Sequence, residues 1–116
     1  MMPMIDQGWV PDACTLLTVD QPLRAKEFDQ LFRDATIAVD RVDARLARLA
    51  LRPNPGLAAR AADLSVRETQ CCSFFGFTLS ATRGALTLEI EVPPGQVAVL
   101  DALVDRARSA AGLVSQ

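Results

Sequence analysis

The sequence contains no histidine and no tyrosine, and it has a single lysine and a single tryptophan among its 116 residues. Because histidine is absent, the chain cannot build a Ser-His or Cys-His catalytic couple, an imidazole acid–base group or a histidine-containing metal site of its own. Its six glycines stand singly, and neither G-x-x-x-x-G-K-[ST] nor G-x-G-x-x-G occurs, which excludes these nucleotide phosphate loops. No apolar run approaches the length of a membrane-spanning helix. Any chemistry must therefore use thiols, carboxylates, arginines or a borrowed cofactor.

The charge is nearly balanced, with 12 basic and 14 acidic residues and a formal net charge of −2. The arginines are scattered, so the chain lacks the positive field that gives nucleic-acid-binding proteins their affinity. We therefore expect no nucleic-acid partner and no membrane partner. Hydrophobic residues make up 50% of the chain, which argues against intrinsic disorder. A chain of this length is expected to form one domain with an ordinary core.

Residues 1–11 show no periodicity and are expected to form a flexible N-terminal arm ahead of a single α+β domain over residues 12–112. This start has neither a basic flank nor an apolar block of signal-peptide length, which favours a cytoplasmic location. In that reducing compartment the three cysteines are expected to be thiols.

Apolar periodicity predicts the order β-α-β-α-β-β-α, an α+β two-layer sandwich whose small, mostly antiparallel sheet carries its helices on one face. The predicted elements are a strand Ala13–Val19, a helix capped by Asp20 and running to about Val39, a strand over 42–52, a helix from Asn54-Pro55 to about Cys71, a hairpin with strands 75–80 and 86–92, and a helix from Val97 to about Gly112. Residues 42–52 also fit a helical stripe. Pro53 and Pro55, which demand a break, favour the strand.

A pair of adjacent cysteines, Cys71 and Cys72, lies where the second helix is predicted to meet the hairpin. Glu68 precedes them by three and four residues, so its carboxylate can share their side of a helix. Cys14, on the predicted first strand, could approach from the sheet. Two or three sulfurs with one oxygen suit a soft ion, namely mercury, copper(I), arsenic(III), antimony(III) or, less well, zinc.

A structural interpretation of the same residues stands beside this one. Cysteine often serves as a small buried hydrophobe, so Cys71 and Cys72 can simply fill a junction in the core. Adjacent residues point in different directions and lack the C-x-x-C spacing of a zinc loop. Glu68 can equally be a solvated helix residue that pairs with Arg67 or Arg60.

A reactive thiolate is disfavoured at this position on electrostatic grounds. The pair lies near the C-terminus of a helix and close to a carboxylate, and both features favour the neutral thiol, although Arg67 opposes them. A bound metal ion, in contrast, deprotonates its own thiol ligands. The residues therefore favour binding over turnover.

The segment Glu68-Thr69-Gln70-Cys71-Cys72-Ser73-Phe74-Phe75-Gly76-Phe77 resembles a family of small uncharacterised actinobacterial proteins with the pattern E-x-x-C-C-x-F-x-x-F. Similar segments occur in the C-terminal regions of some MerR-type regulators associated with heavy metals. The resemblance covers about residues 12–107 and implies a connection with metal or metalloid stress. A DNA-binding role does not carry over, because the chain has neither a helix-turn-helix segment nor a basic face.

The leading prediction is a cytoplasmic protein that binds a soft metal or metalloid ion. Cys71 and Cys72 are the predicted thiolate ligands, Cys14 a possible third ligand, and Glu68 an oxygen ligand or proton acceptor. One alternative is a thiol-dependent reductase or organometal lyase, in which one cysteine attacks and the other resolves. Another is a non-catalytic ligand-binding or dimerisation module with structural cysteines, in which the sheet face or the last helix forms a homodimer interface.

Overall fold

The fold was examined in a computed structural model, which describes the backbone of residues 21–71 and 73–113 and the side chains of 26–70 and 73–113. The predicted strand Ala13–Val19 and the predicted arm over residues 1–11 lie outside these residues. The elements are α1 (Gln21–Ala35), β1 (Thr36–Asp43), β2 (Leu46–Leu51), α2 (Pro55–Cys71), β3 (Gly76–Thr82), β4 (Ala85–Glu91) and α3 (Val97–Ala111), with a short 3-10 turn at Pro94–Gln96 before α3.

The predicted α+β class is confirmed. The four described strands form one antiparallel sheet in the order β1-β2-β4-β3. Burial alternates along β2 and β4, because successive side chains of a strand point to opposite faces. On one face Leu49 and Leu88 are directly opposite each other and buried, whereas on the other face Arg48 and Glu89 form an ion pair of 2.8 Å. The helices therefore cover only one face of the sheet.

The helix layer follows the sheet from one edge to the other. Helix α3 packs against β1, β2 and α1, while α2 packs against α1 and β3. Arg106 of α3 donates to both carboxylate oxygens of Asp29 on α1, at 2.7 and 3.1 Å. Helix α1 thus lies between the other two helices, and α2 lies above β3. None of the helices that the structure describes is long and apolar enough to cross a membrane.

The first predicted helix was too long at its C-terminal end. It ends at Ala35, and residues 36–43 form β1, the outer strand of a hairpin with β2. The predicted strand over 42–52 therefore contains β2, but its first residues belong to β1 and the connecting turn. The stretch after Ala35 is rich in β-branched residues, which favour strands over helices.

The predicted hairpin, which forms β3 and β4, and the last helix are confirmed. Arg83 and Gly84 connect β3 to β4 with positive φ angles of 54° and 79°, the left-handed conformations that a two-residue hairpin turn of this kind requires. Helix α3 ends at Gly112, whose φ of 76° again places it in the left-handed region. Glycine adopts that conformation without steric cost, which explains the sharp end of the helix.

Helix α2 begins with a side-chain cap, as the Asn54-Pro55 pair predicts. Asn54 Oδ1 accepts hydrogen bonds from the backbone N–H groups of Gly56 and Leu57, at 2.8 and 3.1 Å. We expect Asn54→Ala to lower the free energy of unfolding by about 1 kcal/mol, because both N–H groups lose their acceptor. Urea denaturation measures this loss. Asn54→Asp keeps the acceptor and is expected to retain wild-type stability; an equal loss in both variants would contradict the capping role.

Candidate functional site

The C-terminal half of α2 carries Glu68 and Cys71, two of the four residues predicted to bind the ion. Cys71 is the last helical residue of α2, and Glu68 lies three positions earlier on the same helix. Only the backbone of Cys71 is described, and Cys14 and Cys72 lie outside the described residues. Whether the sulfurs converge therefore stays a prediction, while the position of Glu68 is defined.

Glu68 is buried, with only 1% of its surface exposed. The interpretation of Glu68 as a solvated helix residue is therefore wrong. Glu68 is not without an interaction partner, as expected for an acid that has been removed from water. Glu68 follows Leu64 by four residues, and Leu64 is also buried. The buried stripe of α2 thus includes an acidic residue and continues along the helix toward the cysteines.

Ser65 is a second buried polar residue on this face of α2, and it was not among the residues predicted to form a site. It is 9% exposed, and its Oγ has no hydrogen-bond partner among the described residues. A buried hydroxyl without a partner costs about 1–3 kcal/mol, so such groups call for an explanation. Ser65 lies one helical turn before Glu68, which brings two buried oxygen-bearing side chains into the half of α2 that leads to Cys71.

Arg67 does not face the same side as Glu68. Its guanidinium donates to Glu27 of α1 at 3.0 Å and to Asp63, one turn earlier on α2, at 2.9 and 3.2 Å. Burial lowers the pKa of Arg67, but the hydrogen bonds to Asp63 and Glu27 outweigh that effect and raise the pKa above its usual value. The positive charge of Arg67 is thus matched by two carboxylates in the groove between α1 and α2.

A cluster of aromatic rings leads from the cysteine segment into the core. The ring centroids of Phe74 and Phe75 are 4.6 Å apart, and those of Phe75 and Phe77 are 5.4 Å apart. Phe77 stacks on Phe28 of α1 at 6.4 Å, and Phe28 lies 5.8 Å from Phe32. Phe28, Phe32 and Phe75 are buried. The rings therefore act mainly as core, and they give the end of α2 an apolar lining on the side of β3.

A shallow cleft of about 290 Å³ opens at the same end of the sheet. Gly76 of β3 is opposite Glu91 of β4 in the sheet register. The lining residues combine aromatic rings with one acid and one base and are Arg45, Phe74, Phe75, Gly76, Glu91, Val92 and Pro93. Arg45 and Glu91 were not predicted as part of a site, because Arg45 lies in the turn between β1 and β2 and Glu91 ends β4, and only the folded sheet brings them together.

The other polar groups have ordinary roles. Glu89, which forms a paired-carboxylate pattern with Glu91 in the sequence, is bound to Arg48 on the open face of the sheet. The groove between α1 and α2 has a volume of about 370 Å³, and ion pairs such as Arg60–Asp34 cross it. Each of its three acids pairs with one of its two arginines, so the groove offers no unpaired charge to a ligand.

Among the side chains that the structure describes, no group of three or more histidine, cysteine, aspartate or glutamate residues could hold a metal ion. Comparisons with known protein families, with curated proteins and with solved structures find no match for this chain.

Proposed function

We propose that this protein binds a soft metal or metalloid ion through the thiolates of Cys71 and Cys72. Glu68 serves as an oxygen ligand or as the acceptor of a thiol proton, and Cys14 is a possible third sulfur ligand. Mercury, copper(I) and arsenic(III) suit this donor set better than zinc, because soft ions prefer thiolates and the chain has no imidazole.

The burial of Glu68 is the observation that carries the proposal. A carboxylate with 1% exposure is costly, and natural cores tolerate one where a cation or hydrogen-bond donors compensate it. Glu68 is three residues from Cys71 in a continuous helix. A soft ion held at this end of α2 would lie close to a carboxylate that is already removed from water and that could serve it as an oxygen ligand or accept a thiol proton, and the aromatic rings of the neighbouring segment would limit the access of water.

The electrostatics of α2 favour ion binding over nucleophilic catalysis. Cys71 ends the helix, where the carbonyl end of the helix dipole disfavours a thiolate. Arg67, the nearest described cation on α2, already pairs with Glu27 and Asp63. Neither feature activates a free thiol, whereas a soft ion displaces the thiol protons itself.

The proposal is tested by titrating the fully reduced protein with Hg²⁺, Cu⁺ and arsenite in competition with a chelator of known affinity. We expect one ion per chain, with thiolate-to-metal absorption in the ultraviolet and affinity that falls as pH is lowered, because protons compete for the thiolates. A protein that binds none of the three ions would contradict the proposal.

Glu68→Gln is expected to lower the affinity for the preferred ion by about 10-fold or more, within the range seen when a group that supports metal ligands is lost. The amide has nearly the same size as the carboxylate but carries no charge and is a poor proton acceptor. Glu89→Gln is the matched control, since Glu89 lies on the opposite face of the sheet. Equal affinities for the two variants would show that Glu68 does not contribute to ion binding.

A further inference from the structure

The outer edge of the sheet at β3 is unusual in having no charge. Its seven residues, Gly76–Thr82, contain no ionisable side chain and no proline. Strand β3 pairs with β4 in a continuous register without a bulge, and no described strand lies on its other side. An edge of this kind presents a row of backbone N–H and C=O groups that can pair with a further strand.

The opposite edge, β1, differs in both respects. It carries Asp40, Arg41 and Asp43, and its register with β2 is interrupted twice. Charged residues and bulges are the common means by which proteins keep a sheet edge from pairing with another chain. Within the described residues, one edge of the sheet is thus protected and the β3 edge is not.

The flank of α2 above β3 is also uncharged. The exposed charged residues of α2 face α1, where Arg60 pairs with Asp34 and Arg67 with Glu27. Helical spacing places a stripe of small and apolar residues on the side away from α1, and its members are Ala58, Ala62, Val66 and Thr69. Val66 is 55% exposed, although it is a large hydrophobic residue. The flank and the β3 edge together form one uncharged surface, which we call the β3 face.

We propose that the β3 face binds a second copy of this chain. The two β3 strands pair antiparallel across a twofold axis, which joins the two sheets into one of eight strands and brings the α2 flanks together. Self-pairing of this type is an isologous contact, the commonest form of protein dimer. This surface is independent of the ion site proposed above.

The composition of β3 suits self-pairing. With the axis at Leu79, Thr78 of one copy lies opposite Ser80 of the other, so small hydroxyl residues meet on the open face. Phe77 and Leu79, which are only partly buried in one chain, are covered on the helix face. No register of two β3 strands opposes like charges, whereas pairing of two β1 strands would bring Asp40 and Arg41 close to their own copies.

The size of the β3 face agrees with a small, concentration-dependent contact. At about 3.3 Å per strand residue and about 10 Å per layer, it measures about 23 by 20 Å, or about 460 Å² in projection. This is below the roughly 800 Å² per partner of a standard interface, so the dimer is expected to be of micromolar rather than nanomolar affinity. The two Gly76 residues would be separated by six strand residues, about 20 Å. The dimer would thus not bring the two cysteine segments to one ion, and the two proposals can fail separately.

Sedimentation of the full, reduced chain tests the proposal at about 100 μM, a concentration at which a dimer with a micromolar Kd is mostly formed. We expect a species of twice the 12.5 kDa chain mass. Val66→Glu and Thr78→Lys each place a charge on the β3 face and should weaken self-association by at least about 10-fold. Val42→Glu is the matched control, because Val42 is a 43% exposed hydrophobic residue on β1, and it should leave the dimer unchanged.

Three results would overturn the proposal. The first is a wild-type monomer at this concentration, in which case protection of the β3 amides that point away from β4 would show that the edge is covered within one chain. The second is a dimer that Val42→Glu disrupts as strongly as Val66→Glu. The third is a dimer that disappears in Cys71→Ser/Cys72→Ser. Circular dichroism confirms that each variant is folded. The two β3-face variants lie on different elements, so a folding defect in one leaves the other to test the proposal.

Discussion

The double variant Cys71→Ser/Cys72→Ser is expected to lose at least about 100-fold in affinity for a soft ion, more than the 10- to 100-fold cost of removing a group that only supports a ligand. Serine is close to cysteine in size, but its hydroxyl stays protonated at neutral pH and is a hard donor, so it neither attracts nor holds a thiophilic ion. Elemental analysis gives the stoichiometry, and chelator competition gives the affinity.

Single variants show how much of this loss in affinity each cysteine accounts for. Cys71→Ser and Cys72→Ser should each cause a large part of it if both thiolates bind one ion, and Cys14→Ser should cause a further loss only if Cys14 is the third ligand. Melting temperature controls for folding, because the cysteines can also contribute as buried hydrophobes. If the double variant is destabilised but binds the ion as tightly as the wild type, the cysteines are structural.

The parts of the fold that were predictable from sequence are those with local signals. Strands β3 and β4 alternate apolar and polar residues around Gly84, and α3 has a helical stripe that ends at Gly112. The β1–β2 hairpin has no such signal at its turn. There Asp43 Oδ1 accepts the N–H of Arg45 at 2.8 Å, and Arg41 donates to the carbonyls of Asp43 and Ala44. Arg41 also pairs with Asp101 of α3 at 2.8 Å, a contact between residues far apart in the chain.

The site was predictable only where it follows the helix period. Glu68 continues the spacing of Ala61 and Leu64, which places it on the buried side of α2, but its charge favoured a solvated position. Its burial depends on elements that join α2 only in the folded chain, namely α1 and β3. Ser65 follows Ala61 by four residues and also fits this spacing, but its residue type argued against burial, because a serine in a helix is ordinarily exposed and tertiary packing makes its hydroxyl a buried group.

Phe28→Ala is expected to cause the largest loss of stability, about 3–5 kcal/mol. Phe28 is 1% exposed, and its ring lies between Phe32 on α1 and Phe77 on β3. Truncation leaves a cavity where the helix layer meets the sheet, and surrounding rings cannot close it without moving backbone. Since domains of this kind have a total stability of about 5–15 kcal/mol, the variant should lose a large fraction of the free energy of unfolding.

Chemical denaturation measures this loss as a shift of the midpoint at an unchanged slope. Phe28→Leu should lose less, because a large apolar side chain still fills most of the space. Ile37→Ala is the matched exposed control on β1, where 49% of the isoleucine is exposed, and it should stay within about 0.5 kcal/mol of the wild type. A small effect of Phe28→Ala would mean that the sheet and the helix layer are held together mainly by other contacts.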